Sequence, residues 1–360
     1  MLFRSPLNDL NFLGAQRVFG LETYLLAAQA GSRIVQWSDV NSLTFPGTDV
    51  ATVEARPYPI VSHLIHHREW WLATQEAIEV WVNTGDANTP WRPLQGVFIE
   101  VGVLAPASFL LVGGPQTQTP LWLGSDPNGG NSVWMAVGYA AQRISTFAVE
   151  TAFSTYARLD DAVSWWYGQA GHTFYVLSFP TADATWVYDV TVGQWHERGS
   201  WDANALQYHR WRAQYAVQAF GRLLVGHHSA PRLYTLSLDA LDEAGAPLRW
   251  LRRSPYSVVP SENFLYFNRF QVVMQTGLGL DGGVIPGANP VVMLRWSNDG
   301  GGTWTNERQV PCGPIGQRSY RVVVNRCGKA RARVWELSGT DPVGPIALVG
   351  ALVEAEEGLA

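Results

Sequence analysis

The stretch 171–198 most constrains what this chain can fold into. It reads as two adjacent β-strands and their hairpin turn. Phe174, Tyr175, Val176 and Leu177 make an apolar run that ends at Pro180. Trp186, Val187, Tyr188 and Asp189 follow, then a turn through Gly193, then Trp195. Weaker versions of this unit recur along the chain. One such unit cannot bury both faces of its sheet, so the copies must stack, as in a propeller or an array.

The recurrences can be placed. Glu22 to Trp37 suits a short helix or a hairpin. The alternation of Arg33 to Trp37 and the turn at Ala30-Gly31 favour the hairpin. Glu69 to Thr74 pairs with Ala77 to Val82. Phe109 to Val112 precedes Leu121 to Gly124 and Ser132 to Trp134, and Leu223 to Val225 goes with Leu233 to Leu236. First arms near Trp71, Leu111, Tyr175 and Leu224 lie roughly 40, 64 and 49 residues apart, against about 40–50 for a propeller blade. The long interval leaves room for a short helix at residues 147–157, inserted between blades. A series of β-sandwiches is the alternative.

Composition agrees with a β fold. Charged residues make up 15% of the chain, below the roughly 25% of ordinary domains. Aromatics make up 12%, with 17 Trp, and suit pleated, half-buried strands. The net charge of −5 provides no basic footprint for nucleic acid. Lys329 is the only lysine, so Schiff-base chemistry has one candidate. Cys312 and Cys327 lack zinc-ribbon spacing and read as reduced, buried thiols, with a cross-hairpin disulfide as the alternative. Arg4 is followed by Asn8 and Asp9, not by the apolar core of a signal peptide, so cytoplasmic synthesis is expected. The apolar stretch from Gly96 to Gly114 holds Glu100 and Pro106 and reads as two strands, not a membrane span.

From about Phe264 the strands lengthen, through Phe267 to Met274, Pro290 to Trp296, Arg321 to Val324, Ala332 to Leu337 and Ile346 to Val349. The expected organisation is an N-terminal segment (1–30), a propeller-like domain (31–260), a C-terminal β module (261–350) and an acidic, solvated and frayed tail (351–360). The fold class is all-β: repeated four-stranded blades, propeller-like, with a sandwich-like C-terminal module or terminal blades.

Ser297, Asp299, Gly301, Thr303 and Trp304 fit the Asp-box pattern S-x-D-x-G-x-T-W. Its mechanics are local. The Asp accepts N–H groups of its own turn, the Gly takes a conformation others avoid, and the Trp packs under the hairpin. With Trp186, Tyr188, Asp189 and Trp195 these are structural residues. No catalytic, cofactor-binding or metal-ligating residue is assigned.

Other motifs are weaker. Gly277, Gly279 and Gly282 fit G-x-G-x-x-G, but Pro286 and Gly287 follow where a phosphate-binding helix would have to begin. His63, His66 and His67 form a group, but His66 and His67 would face apart in a strand. His227-His228 and the carboxylate pair Asp160-Asp161 carry no recognisable chemistry. Arg210 and Arg212 would share one strand face, a solvated face or a contact for an anion or a partner.

In order and spacing, several segments resemble the packaged-DNA stabilisation (tail hub) family of short-tailed bacteriophages. They are Gly31 to Val35 with Trp37-Ser38, Ala77 to Trp81 with Thr84-Gly85, and Arg143 to Thr146 with Val149-Glu150. Gly171 to Thr181, Trp186 to Asp189 and Trp195 to Arg198 follow, then Leu294 to Ser297 with the Asp box, and Asp341 to Val343. The resemblance implies a non-enzymatic virion protein made in the bacterial host cytoplasm. It implies a homo-oligomeric, hexameric ring beneath the portal and its adaptor. That ring would help retain packaged DNA and carry tailspikes or fibres and a tail needle, with no membrane or cofactor; contact with channel DNA stays open. Two rivals remain at this point: a sialidase-like propeller glycoside hydrolase, suggested by the Asp box, and a passive carbohydrate- or protein-binding propeller.

Overall fold

The computed structural model describes residues 9–29, 31–54, 56–125, 129–258, 263–281, 285–344 and 347–358. The chain divides into two compact units. One comprises residues 1–199 and 208–233, the other 200–207 and 234–360.

The first unit is built of consecutive antiparallel sheets. Val18–Leu21, Tyr24–Ala28, Ile34–Trp37 and Val50–Thr52 form the first blade. Ser62–His66, Glu69–Ala73, Ile78–Asn83 and Trp91–Ile99 form the second. Leu110–Val112, Thr119–Ser125, Asn131–Val137 and Ala140–Arg143 form the third. Val163–Gln169, His172–Phe179, Ala184–Asp189 and Gln194–Glu197 form the fourth. A three-stranded fifth sheet has Ala213–Ala219, Arg222–His227 and Leu233–Thr235. The first strand of each sheet lies against the first strand of the next, the signature of blades around an axis.

First strands begin at intervals of about 50 residues. The uneven spacing expected from sequence came from comparing unlike strands. Trp71, Tyr175 and Leu224 lie in second or inner strands of their sheets, whereas Leu111 lies in a first strand.

Strand alternation explains the cores. Trp70 and Leu72 point into the core shared with the first blade, beside Leu26, Val35 and Trp37. Their neighbours Trp71 and Ala73 point the other way, into the core shared with the third blade, beside Phe109 and Trp122. One strand thus serves two interfaces because its side chains alternate. Leu121, Leu123, Tyr175 and Leu177 fill the next core. The first blade's other face is covered by the N-terminal segment. Buried Gln36 donates through Nε2 to Asn11 O (2.7 Å) and accepts from the Leu13 N–H (3.1 Å).

Glu22 to Trp37 holds a hairpin, not a helix: Tyr24–Ala28 pairs antiparallel with Ile34–Trp37, and Ala30 lies outside the described residues. The strands at 18–28 also place much of the segment expected to be a separate N-terminal piece inside the first blade.

The second unit is a sandwich. One sheet runs Trp250–Arg253, Ala332–Gly339, Val291–Ser297, Arg308–Pro311, so it takes in residues upstream of the expected boundary at 261. The other centres on Leu265–Met274, flanked by Val322–Asn325 and Leu348–Glu357. Phe267, Phe270 and Val272 meet Val292, Leu294, Trp296, Trp335 and Leu337 between them. Residues 345–346, which include Ile346 of an expected strand, lie outside the described residues.

The expected frayed tail is corrected here. Residues up to Glu357 are an ordered edge strand, paired antiparallel with Leu265–Met274 and exposed along most of its length. The backbone groups on its inner side pair with that strand, a partner that the Glu-rich composition did not reveal. Glu354, Glu356 and Glu357 put charge on the sheet edge, which discourages further strand addition. Residues 359–360 lie outside the described residues. Among the described residues no helix is long and apolar enough to cross a membrane.

Candidate functional site

The residues singled out from sequence fall in both units. Trp186, Tyr188, Asp189 and Trp195 sit on the two outer strands of the fourth blade. Trp195 Nε1 donates to Ile144 O (2.8 Å) and Trp186 Nε1 to Tyr156 Oη (3.0 Å). The two indoles therefore hold the connection from the third blade to the fourth. Tyr188 packs on Trp195 with ring centroids 5.0 Å apart. Asp189 Oδ2 meets His172 Nδ1 (2.7 Å) and Oδ1 accepts from the Thr191 N–H, closing the turn.

That connection contains the helix Phe147–Ser154, shorter than the expected 147–157. Thr146 caps its first turn. Glu150 accepts from Arg143, from Ser145 Oγ (2.6 Å) and from Ser132 Oγ (3.2 Å). Val149 and Phe153 are buried, while Phe147 is 84% exposed.

The Asp box occupies the turn after Val291–Ser297. Asp299 Oδ1 accepts from the Thr303 N–H (2.8 Å) and Oδ2 from Thr303 Oγ1 (2.7 Å). Ser297 Oγ donates to Asp299 Oδ1 and accepts from the Gly301 N–H. These bonds, led by Ser297, hold the Asp299 carboxyl well below the usual carboxylate range. Gly301 has φ +106°, a conformation side chains rarely adopt. Trp304 donates to Gly301 O and lies under the guanidinium groups of Arg295 (4.8 Å) and Arg253 (5.0 Å). Both arginines bind buried Glu336 at 2.5 Å. The motif anchors a charge-aromatic network on the sandwich.

Sequence reasoning missed two groups in the first unit. The guanidinium of Arg198 covers Trp211 (4.9 Å), Phe174 (5.3 Å) and Tyr167 (5.6 Å), and Trp211 stacks on Trp165. The alternating Trp165 and Tyr167 were the readable half of that signal. The second group is the exposed apolar surface of the fifth sheet, where Phe220 is 96%, Tyr215 59% and Val217 57% exposed. Cross-strand pairing puts Val217 opposite Leu224 on one face and buried Val225 opposite Ala216 on the other.

The remaining motifs resolve into local structure. A Cβ on Gly277 would come within 2.8 Å of the Gln317 backbone, and one on Gly279 within 2.6 Å of Ala288 O. These glycines permit a close chain crossing; Gly282 lies outside the described residues, and residues 286–289 form turns and bends. His67 sits in a turn with φ 48°, so its ring lies 4.0 Å from that of His66 instead of facing away. Arg210 ends the strand Gln207–Arg210 and Arg212 lies beyond it, so they share no strand face. Arg210 Nη2 bonds His228 Nδ1 (2.9 Å). Asp160 pairs with Arg158, and Asp161 accepts from the Thr181 N–H. Cys312 and Cys327 are both buried free thiols, and burial pushes Cys312 up to about 11. Among the described residues no three His, Cys, Asp or Glu converge as a metal site.

The chain is thus a blade-built unit followed by a sandwich, an all-β propeller-plus-sandwich protein in which the Asp box serves as a turn. Residues 16–241 match the family described as bacteriophage P22 Gp10, beta-propeller, and residues 250–356 the one described as bacteriophage P22 Gp10, beta-sandwich. The chain belongs to the bacteriophage P22 Gp10 family. No curated protein matches it significantly.

Solved structures give remote likenesses. PorZ, a surface component of the type-IX secretion system of Porphyromonas gingivalis, aligns at 12% identity and TM-score 0.31, over 84% of this chain and 34% of that one. The chain thus spans about a third of PorZ. A glycoside hydrolase family 43 arabinoxylan arabinofuranohydrolase from Bacillus subtilis aligns at 10% identity and TM-score 0.28, over 95% and 79%. A Lactobacillus plantarum protein aligns at 10% and 0.27, over 85% and 86%.

Proposed function

We propose that this chain is a tail-hub subunit of a short-tailed phage virion. It assembles as a homo-oligomeric ring, hexameric in our reading, beneath the portal and adaptor, helps retain packaged DNA, and supports tailspikes or fibres and a needle. The observation that carries the reading is the ordered pair of family matches, propeller then sandwich, which together span most of the chain. The exposed apolar face of the fifth sheet and the exposed Phe147 support assembly, since soluble monomers rarely leave such surface uncovered.

The test is native mass spectrometry and negative-stain imaging of the purified chain, alone and with its cognate adaptor ring. A closed ring, or capture by the adaptor, is the expected result. A strict monomer that ignores the adaptor would overturn it.

A further inference from the structure

A partly open cavity of about 190 Å³ lies among the first three blades, lined in part by Gln16, Arg17, Gln29, Ser62 and His63. One water needs only roughly 10–15 Å³ by the same measure. The space therefore suits a small polyatomic ligand.

Its polar inventory is one-sided. Arg17 immediately precedes the first strand of the first blade. Its Nη1 lies 3.4 Å from Phe109 O, and Tyr215, on the fifth sheet's first strand, is near enough to interact with its charge. Arg17 is half-buried, and desolvation lowers its pKa. No Asp or Glu occurs on any of the five first strands, Val18–Leu21, Ser62–His66, Leu110–Val112, Val163–Gln169 and Ala213–Ala219. No carboxylate lines the cavity among the described residues. The nearby imidazole of His63 is held neutral, with both nitrogens occupied. A desolvated cation without a counter-charge is costly, and a bound anion removes that cost.

We propose that this cavity is an oxyanion site, with Arg17 as its charged donor and Gln16 and Gln29 as its polar wall; the Ser62 hydroxyl donates to Pro106 O (3.0 Å). The ligand chemistry is a phosphate group. Its source is either a free phosphate or the phosphodiester backbone of nucleic acid. This assignment does not depend on the tail-hub reading, because it concerns one chain and no assembly partner.

The experiment is calorimetric titration of the whole chain with inorganic phosphate at low ionic strength, with chloride as the control. One phosphate per chain is expected, and Arg17→Gln should weaken it by about tenfold or more, the worth of one charge-assisted contact. Arg17→Lys, which keeps the charge, should retain most of the binding. Amide NMR of the unaltered chain needs no variant and should show phosphate-induced shifts clustered at Gln29, Ser62 and His63. Competition by a single-stranded oligonucleotide identifies the phosphodiester as the source, and its failure leaves free phosphate. No binding up to about 20 mM, undiminished binding in Arg17→Gln, or shifts confined to other regions would overturn the proposal.

Discussion

Trp70 Nε1 donates to His63 Nδ1 at 3.0 Å, and this bond decides where the imidazole carries its proton. With Nδ1 accepting, Nε2 bears the hydrogen and donates to Arg17 O (3.0 Å). A second-blade side chain thus holds the chain that enters the first blade. Burial pushes His63 down to about 4 from its ordinary 6.5. The unfolded chain therefore binds a proton at His63 that the folded one refuses. The stability owed to neutral His63 is fully present above about pH 6.5 and declines as pH falls to about 4, by about 3 kcal/mol at most. Urea melts between pH 4 and 7 should show this slope, and His63→Gln should flatten it. An equal slope in the variant would count against the assignment.

The indole bonds of the fourth blade make a local prediction. Trp195→Phe leaves Ile144 O without its donor and should cost about 1–2 kcal/mol. Hydrogen exchange should quicken first at Val149 and Phe153, in the helix that this contact positions. A uniform rise across all blades would mean that the contact is not local.

Glu336 is buried and pairs with both Arg253 and Arg295. Glu336→Ala should destabilise the sandwich by on the order of 3 kcal/mol. Arg253→Ala, at a half-exposed partner, should cost well under 1 kcal/mol. Thermal melts followed by tryptophan fluorescence would rank the two, and comparable losses would contradict this account.

Val217→Glu places a charge on the exposed face of the fifth sheet. The isolated chain should keep its melting behaviour to within about 0.5 kcal/mol. If that face joins subunits, sedimentation velocity should show the ring lost. An intact ring would move the interface elsewhere.

What could be read in sequence was whatever a strand encodes within its own length. Phe174 to Leu177 and Trp186 to Asp189 announce their strands because alternation and β-branching are local. The Asp box is legible for the same reason, as each bond from Asp299 stays within a few residues. Blade phasing was not legible, because Leu111 and Tyr175 look alike while occupying different strand positions. The part of the strand Leu348–Glu357 beyond residue 350 looked like a tail because its partner lies about 80 residues upstream. The Arg198–Trp211 stack and the cation at Arg17 depend on contacts that composition does not report.

That distant pairing bears on how the protein is made. Each blade is built from consecutive strands, so it can close while the rest of the chain is still being translated. The sandwich's central strand, Leu265–Met274, lacks its longest neighbour until the ribosome has passed Glu357. Until then an apolar strand stands with one side open, and in that interval the nascent chain is most exposed to misassociation.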